Sequence, residues 1–106
     1  MKILFVCSRN KWRSRTAETI FKNNGHHNIR SAGTEHSARI QINQNMINWA
    51  DLIFVMEETH KKRILKKFEI DNNIQSLEVL DIPDDYKYMD KDLIEILELK
   101  LEDIFT

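Results

Sequence analysis

The stretch KILFVCSRNKWRSRTAETIF, residues 2–21, changes character twice. Residues 2–7 form a short apolar run rich in β-formers and read as a buried strand. RSRTAETIFKNNG, residues 13–25, reads as a helix with Ala17, Ile20 and Phe21 on one face and Gly25 as its C-terminal stop. Between strand and helix lies a polar loop. At its head stands Cys7, the only cysteine of the chain.

A turn from a strand into a helix directs successive backbone N–H groups inward and makes an anion nest. The helix N-terminus adds free N–H groups and a partial positive charge. A cysteine at the base of such a nest is favoured as the thiolate. Ser14, in the first helical turn, is placed to donate a hydrogen bond to the sulfur. Arg13 is placed to hold two oxygens of a phosphate in a fork. Cys7-x5-Arg13-Ser14 therefore reads as a phosphoester site in which sulfur attacks phosphorus. Backbone dipoles and one guanidinium meet the charge, so neither a metal nor a cofactor is expected. The competing reading is an inert cysteine buried at a strand end.

Working outward, NIRSAGT (28–34) reads as a second strand ending in a glycine turn. IQINQNMINW (40–49) sets Ile42, Met46 and Trp49 at helical spacing, a core stripe. ADLIFVME (50–57) is a second strong apolar run. ETHKKRILKKF (58–68) reads as a helix with Ile64, Leu65 and Phe68 inward and its basic residues between Lys61 and Lys67 on a solvated face. LEVLDI (77–82) is a fourth strand, ended by Pro83. Asp90 caps a final helix with Leu93, Ile94, Leu97, Leu101 and Ile104 on one stripe.

Alternating strands and helices predict an α/β fold. It should be a three-layer sandwich around a four-stranded parallel sheet, with the phosphate loop after strand 1 and right-handed crossovers. The 106 residues fit one domain, 1–106. Ligands of such sheets bind at the carboxyl ends of the strands. The loops after the first and last strands, carrying Cys7 and Asp84, should then share a rim. A phosphate ester also needs its leaving oxygen protonated, which a thiolate cannot do. DIPDDY (81–86) offers Asp81, Asp84 and Asp85 beside Pro83 and Tyr86, where crowding or apolar surroundings would make one a proton donor. Alone, the same stretch reads rather as a polar turn before a helix cap; its pairing with Cys7-x5-Arg13 favours the proton donor.

Composition bounds the partners. Sixteen basic against 17 acidic residues leave a net charge of −1, so no global field points to nucleic acid or a membrane surface. Met1-Lys2 leads straight into ILFV, too short for a secretory core, and no apolar run approaches membrane length. One cysteine cannot pair with itself, so the expected setting is the reducing cytoplasm with a free thiol. One Cys and four scattered His do not make a zinc site.

The residues around Cys7 resemble the phosphate-binding loop of the low-molecular-weight protein tyrosine phosphatases, V-C-x-G-N-x-C-R-S-P-x-A-E. Val6, Cys7, Asn10, Arg13, Ser14, Ala17 and Glu18 match it. SAGT (31–34), HSAR (36–39) and ADLIFVME (50–57) match later segments in order, and IPDDY (82–86) resembles the V-P-D-P-Y acid loop. The resemblance implies a cysteine-dependent hydrolase of phosphotyrosine that works through a cysteinyl-phosphate and releases inorganic phosphate. Its substrate would be a phosphorylated protein or a small phosphomonoester.

On this resemblance Cys7 is the nucleophile, Arg13 the phosphate clamp and Asp84 the general acid, with Asp81 as fallback. Ser14 stabilises the thiolate, and Asn10 holds the loop in a left-handed backbone conformation. Tyr86 flanks the substrate ring. Ser8, Arg9, Lys11 and Trp12 complete the substrate-binding loop. The departures are Arg9 for Gly, Trp12 for a second Cys, Arg15 for Pro, Lys11 for an apolar residue or Thr, and Asp85 for Pro. Only Glu35 stands between SAGT and HSAR, where relatives carry an additional segment, so the site should be shallow and open. Arg9, Lys11 and Arg15 at its mouth suit an acidic substrate or a second phosphate, or merely solvate the rim. Three alternatives stand beside the main reading: a phosphate- or phosphoprotein-binding module with little turnover, an arsenate reductase using an external thiol, and a phosphoarginine hydrolase.

Overall fold

The computed structural model describes residues 1–105. Four parallel strands form one sheet in the order β2-β1-β3-β4, where β1 is Lys2–Cys7, β2 Asn28–Gly33, β3 Leu52–Val55 and β4 Ser76–Val79. The connections carry α1 (Arg13–Phe21), α2 (Gln44–Trp49) and α3 (Glu58–Lys67), and α4 (Lys91–Lys100) and α5 (Glu102–Phe105) follow β4. This is the expected α/β fold, with helices on both sides of a parallel sheet.

Successive side chains of a strand point to opposite faces, and a sheet covered on both faces needs apolar residues at every position. β1 shows the consequence. Ile3, Phe5 and Cys7 join the cluster formed with Ala17 and Phe21 of α1 and Leu93 and Leu97 of α4. Leu4 and Val6 join the opposite cluster with Ile47 of α2 and Ile64 of α3. The thiol thus belongs to the α1 side, at the carboxyl end of a central strand.

Several elements differ from their sequence reading. The first helix ends at Phe21, with Lys22 as its cap. Gly25 lies in the following turn and does not take the left-handed conformation of a glycine stop. Ile42 is buried but precedes α2, which starts after Asn43 accepts the Met46 N–H at 2.9 Å. The buried residue of α2 is Ile47, while Met46 and Trp49 are half-buried. In α3, Leu65 is 51% exposed and the inward positions are His60 and Ile64, one helical turn apart. β4 stops at Val79, because Asp81 takes φ +59° and turns the chain. The last helix breaks at buried Leu101, leaving α5 as a separate short turn.

Candidate active site

Cys7 is the last residue of β1, paired with Gly33 of β2. The loop that follows is tied by its carbonyls to the segment after β2. The carbonyl of Cys7 accepts from Thr34 N (3.0 Å), that of Ser8 from Glu35 N (2.9 Å) and that of Arg9 from Arg39 N (2.9 Å). The Asn10 carbonyl accepts from Arg39 Nε at 3.2 Å. In a trans peptide the C=O and the next N–H point opposite ways. Four carbonyls turned toward residues 34–39 therefore turn the following N–H groups to the other side. Among the described residues, the backbone N–H groups of residues 8–12 donate to no protein acceptor. Donors left together in this way form an anion nest.

Two local features permit this path. Asn10 sits at φ +54°, the left-handed conformation expected of it, which Asn tolerates better than most residues. Gly33 lies directly beneath the loop, and a Cβ there would meet Ser8 O and Ala38 Cβ at 2.6 Å.

Behind the nest the polar side chains interlock. Cys7 Sγ lies 2.9 Å from Ser14 Oγ, and Asn10 Nδ2 donates to the same hydroxyl at 2.8 Å. With Asn10 supplying a hydrogen to the oxygen, the Ser14 hydrogen is free for the sulfur; its other acceptor, Ala32 O, is 3.4 Å away. Arg13 is 2% exposed. Its Nη1 donates to Glu57 Oε1 (2.5 Å) and to the Ile82 carbonyl (2.8 Å), and its Nε faces Asp84 Oδ1 at 3.6 Å. One guanidinium thereby joins the thiol loop to the N-cap of α3 and to the acid loop.

His60 is a member of this network that sequence reasoning missed. The Glu57 N–H donates to His60 Nδ1 at 3.0 Å, which places the ring hydrogen on Nε2. Nε2 therefore donates to Ser8 Oγ, 2.9 Å away, and the Ser8 hydroxyl hydrogen remains for another acceptor. Burial, and then the nearby Arg13 cation, lower the His60 pKa to about 4, so the ring is neutral at ordinary pH. Glu57 and Arg39 were also missed: the one holds Arg13, the other holds the Asn10 carbonyl and lies 3.7 Å from Glu18.

Above the sulfur opens a cavity of about 270 Å³. Cys7, Ser8, Arg9, Lys11 and Trp12 line it from the thiol loop, with Glu35 and Asp84 opposite. The two loops do share a rim. Asn10, Arg13 and Ser14 stand behind the loop rather than on the cavity surface. Three placements differ from the sequence reading. Tyr86 packs against the α1-side core rather than the cavity. Arg15 stacks on Tyr88, 4.5 Å from the ring centre, rather than at the mouth. Asp81 is exposed and does not border the cavity; its left-handed backbone precedes Ile82, whose carbonyl meets Arg13.

No family model and no curated protein sequence matches the chain. Solved structures do. A low-molecular-weight phosphotyrosine phosphatase from Vibrio cholerae O395 is similar with TM-score 0.73 at 20% identity, covering 97% of this chain and 95% of that one. A protein tyrosine phosphatase from Entamoeba histolytica gives TM-score 0.74 at 21% identity, covering 98% and 94%. The YwlE arginine phosphatase, solved as a mutant with a phosphorylated active-site serine, gives 0.68 at 20% identity, covering 96% and 95%. The fold is that of the low-molecular-weight protein tyrosine phosphatases.

Proposed function

We propose that the chain is a phosphomonoester hydrolase acting on phosphotyrosine through a cysteinyl-phosphate. The observation that carries this reading is the joint geometry: a thiol hydrogen-bonded to Ser14 at the base of a free N–H nest, with Asp84 across the same cavity. The phosphoryl oxygens occupy the nest, and Arg13 supplies charge from behind. The Cys7 thiolate attacks phosphorus and the P–O bond to the leaving group breaks. Asp84, protonated, gives its proton to the departing oxygen. Water then attacks the cysteinyl-phosphate, Asp84 takes its proton, and the P–S bond breaks to release inorganic phosphate and the thiolate.

The cavity is smaller than the ~300–1,000 Å³ of sites that enclose a drug-sized ligand. It suits a phosphoryl group and part of its carrier, with the rest of the substrate outside. Trp12 supplies an aromatic wall for a phenyl ring, the place expected of Tyr86. Because an arginine phosphatase shares the fold, phosphoarginine is the second substrate to test.

The test is p-nitrophenyl phosphate hydrolysis in EDTA by wild type, Cys7→Ser and Asp84→Asn. The expected result is turnover by wild type, none by Cys7→Ser and strong reduction in Asp84→Asn. No wild-type turnover with phosphate or vanadate still bound would favour the binding-module reading.

A further inference from the structure

A second groove, of about 570 Å³, runs beside the catalytic cavity, and Glu35 borders both. Thr34 and His36 form one wall, and Arg63, Lys66 and Lys67 of α3 form the other. Spacing of three and four residues puts these cations on one helix face. Arg63 Nη1 reaches Thr34 Oγ1 at 3.4 Å. Among the described residues none of the three cations has a carboxylate partner, although the chain as a whole carries more acids than bases. The one acid on the shared edge, Glu35, is itself paired with Arg9 Nε at 3.2 Å. Like charges at helical spacing repel unless an anion lies between them. The shared edge exists because a single residue, Glu35, connects SAGT to HSAR.

We infer that this groove holds an acidic stretch of the protein substrate, flanking the phosphorylated residue that enters the catalytic cavity. The inference rests on the hydrolase reading and adds a substrate class to it. A shallow cavity encloses little of its substrate, so contacts remote from the reacting atoms supply binding energy that the cavity does not. Lys11, on the cavity wall, extends the same charge toward the sulfur. An acidic polypeptide segment fits this short, bounded patch. The long basic track of a nucleic-acid binder is not present in a chain of net charge −1.

Two phosphotyrosine peptides of equal length test it, one with Asp and Glu flanks and one with Ser and Gln flanks. kcat/KM is measured at low salt for wild type, Arg63→Glu/Lys66→Glu, and Lys62→Glu/Lys100→Glu, whose exposed positions line neither cavity. Wild type should prefer the acidic peptide by about fivefold to tenfold, the preference fading as salt is added. The groove variant should lose the preference, the control variant should keep it, and p-nitrophenyl phosphate should be hydrolysed alike by all three. Equal kcat/KM for the two peptides with wild type, or equal loss in both variants, would overturn the inference. If wild type fails on p-nitrophenyl phosphate, the hydrolase reading has failed by itself. Fluorescence anisotropy of the two labelled peptides then decides the groove, with tighter acidic-peptide binding expected and equal affinity overturning it.

Discussion

The thiol loop and the acid loop meet at one cavity and are built in opposite ways. In the first, Cys7, Asn10, Arg13 and Ser14 are all buried, and successive carbonyls are bonded to residues 34–39. In the second, Pro83, Asp84 and Asp85 are exposed, and among the described residues Asp84 has a single ionic contact, 3.6 Å to Arg13. Among the described residues the acid loop is hydrogen-bonded to the neighbouring elements only toward its ends, with Tyr86 packed on the α1-side core between them. Ile82 N donates to Met56 O at 2.8 Å, while Met89 N donates to Thr16 Oγ1 and Tyr88 pairs with Thr19. The thiol and its nest are therefore preorganised, which is where fixed dipoles would contribute most to the proposed catalysis. On the proposed mechanism Asp84 serves two steps, protonating one oxygen and then deprotonating another, and its exposed position leaves it room to do so.

The sharpest way to break this contrast is to remove the residue common to both sides. Arg13→Ala should lower kcat/KM for p-nitrophenyl phosphate by roughly 10³-fold, and Arg13→Lys should recover little, since a point charge does not replace a fork. Recovery to near wild type by Lys would show that only charge is used.

The next effect is on stability. His60 is neutral in the fold with a pKa of about 4, against 6.5 for the free side chain. The unfolded chain therefore binds the proton more readily. The stabilisation is fully present above pH 6.5 and is lost as pH falls toward 4, by about 3 kcal/mol in all. Thermal melts from pH 7 to pH 4 should show this loss in wild type and a flatter profile in His60→Gln. Identical slopes would remove His60 from the account.

Gly33→Ala is a smaller steric test of the rigid side. A methyl 2.6 Å from the Ser8 carbonyl must displace the loop, with an expected cost of about 2 kcal/mol and a loss of turnover. Unchanged melting temperature and activity would mean that the loop is looser than its hydrogen bonds imply. The smallest effect belongs to the exposed side's other carboxylate. Asp81→Asn should keep turnover within about twofold, because Asp81 is away from the cavity and Asn tolerates its left-handed backbone. A loss as large as that of Asp84→Asn would exchange their roles.

The rigid loop was legible in the sequence because its decisive contacts are local. Sulfur to Ser14 spans seven residues and Asn10 to Ser14 spans four, so a contiguous motif contains them. The supports were not legible. Ser8–His60 spans 52 residues, Arg13–Glu57 spans 44 and Asn10–Arg39 spans 29, distances that only the β1–β2–β3 packing closes. His60 occupies an inward helix position that hydropathy assigns to an apolar residue, and Leu65 was read inward in its place. One signal was available: Glu57 and His60 have the spacing of a capping box, and the structure forms one. Tyr86 was misplaced for a related reason. An aromatic beside an acid suits either a core or a cavity wall, and the turn at Asp81 decides which.

The most direct test of the central claim is to catch the covalent step. Asp84→Asn is mixed with p-nitrophenyl phosphate, whose leaving group needs little protonation, quenched in acid and measured by intact mass and peptide mapping. The account expects one added phosphoryl group, on Cys7, because the residue that deprotonates the attacking water is gone. Turnover by wild type with phosphate mapped to another side chain, or with Cys7→Ser as active as wild type, would contradict it.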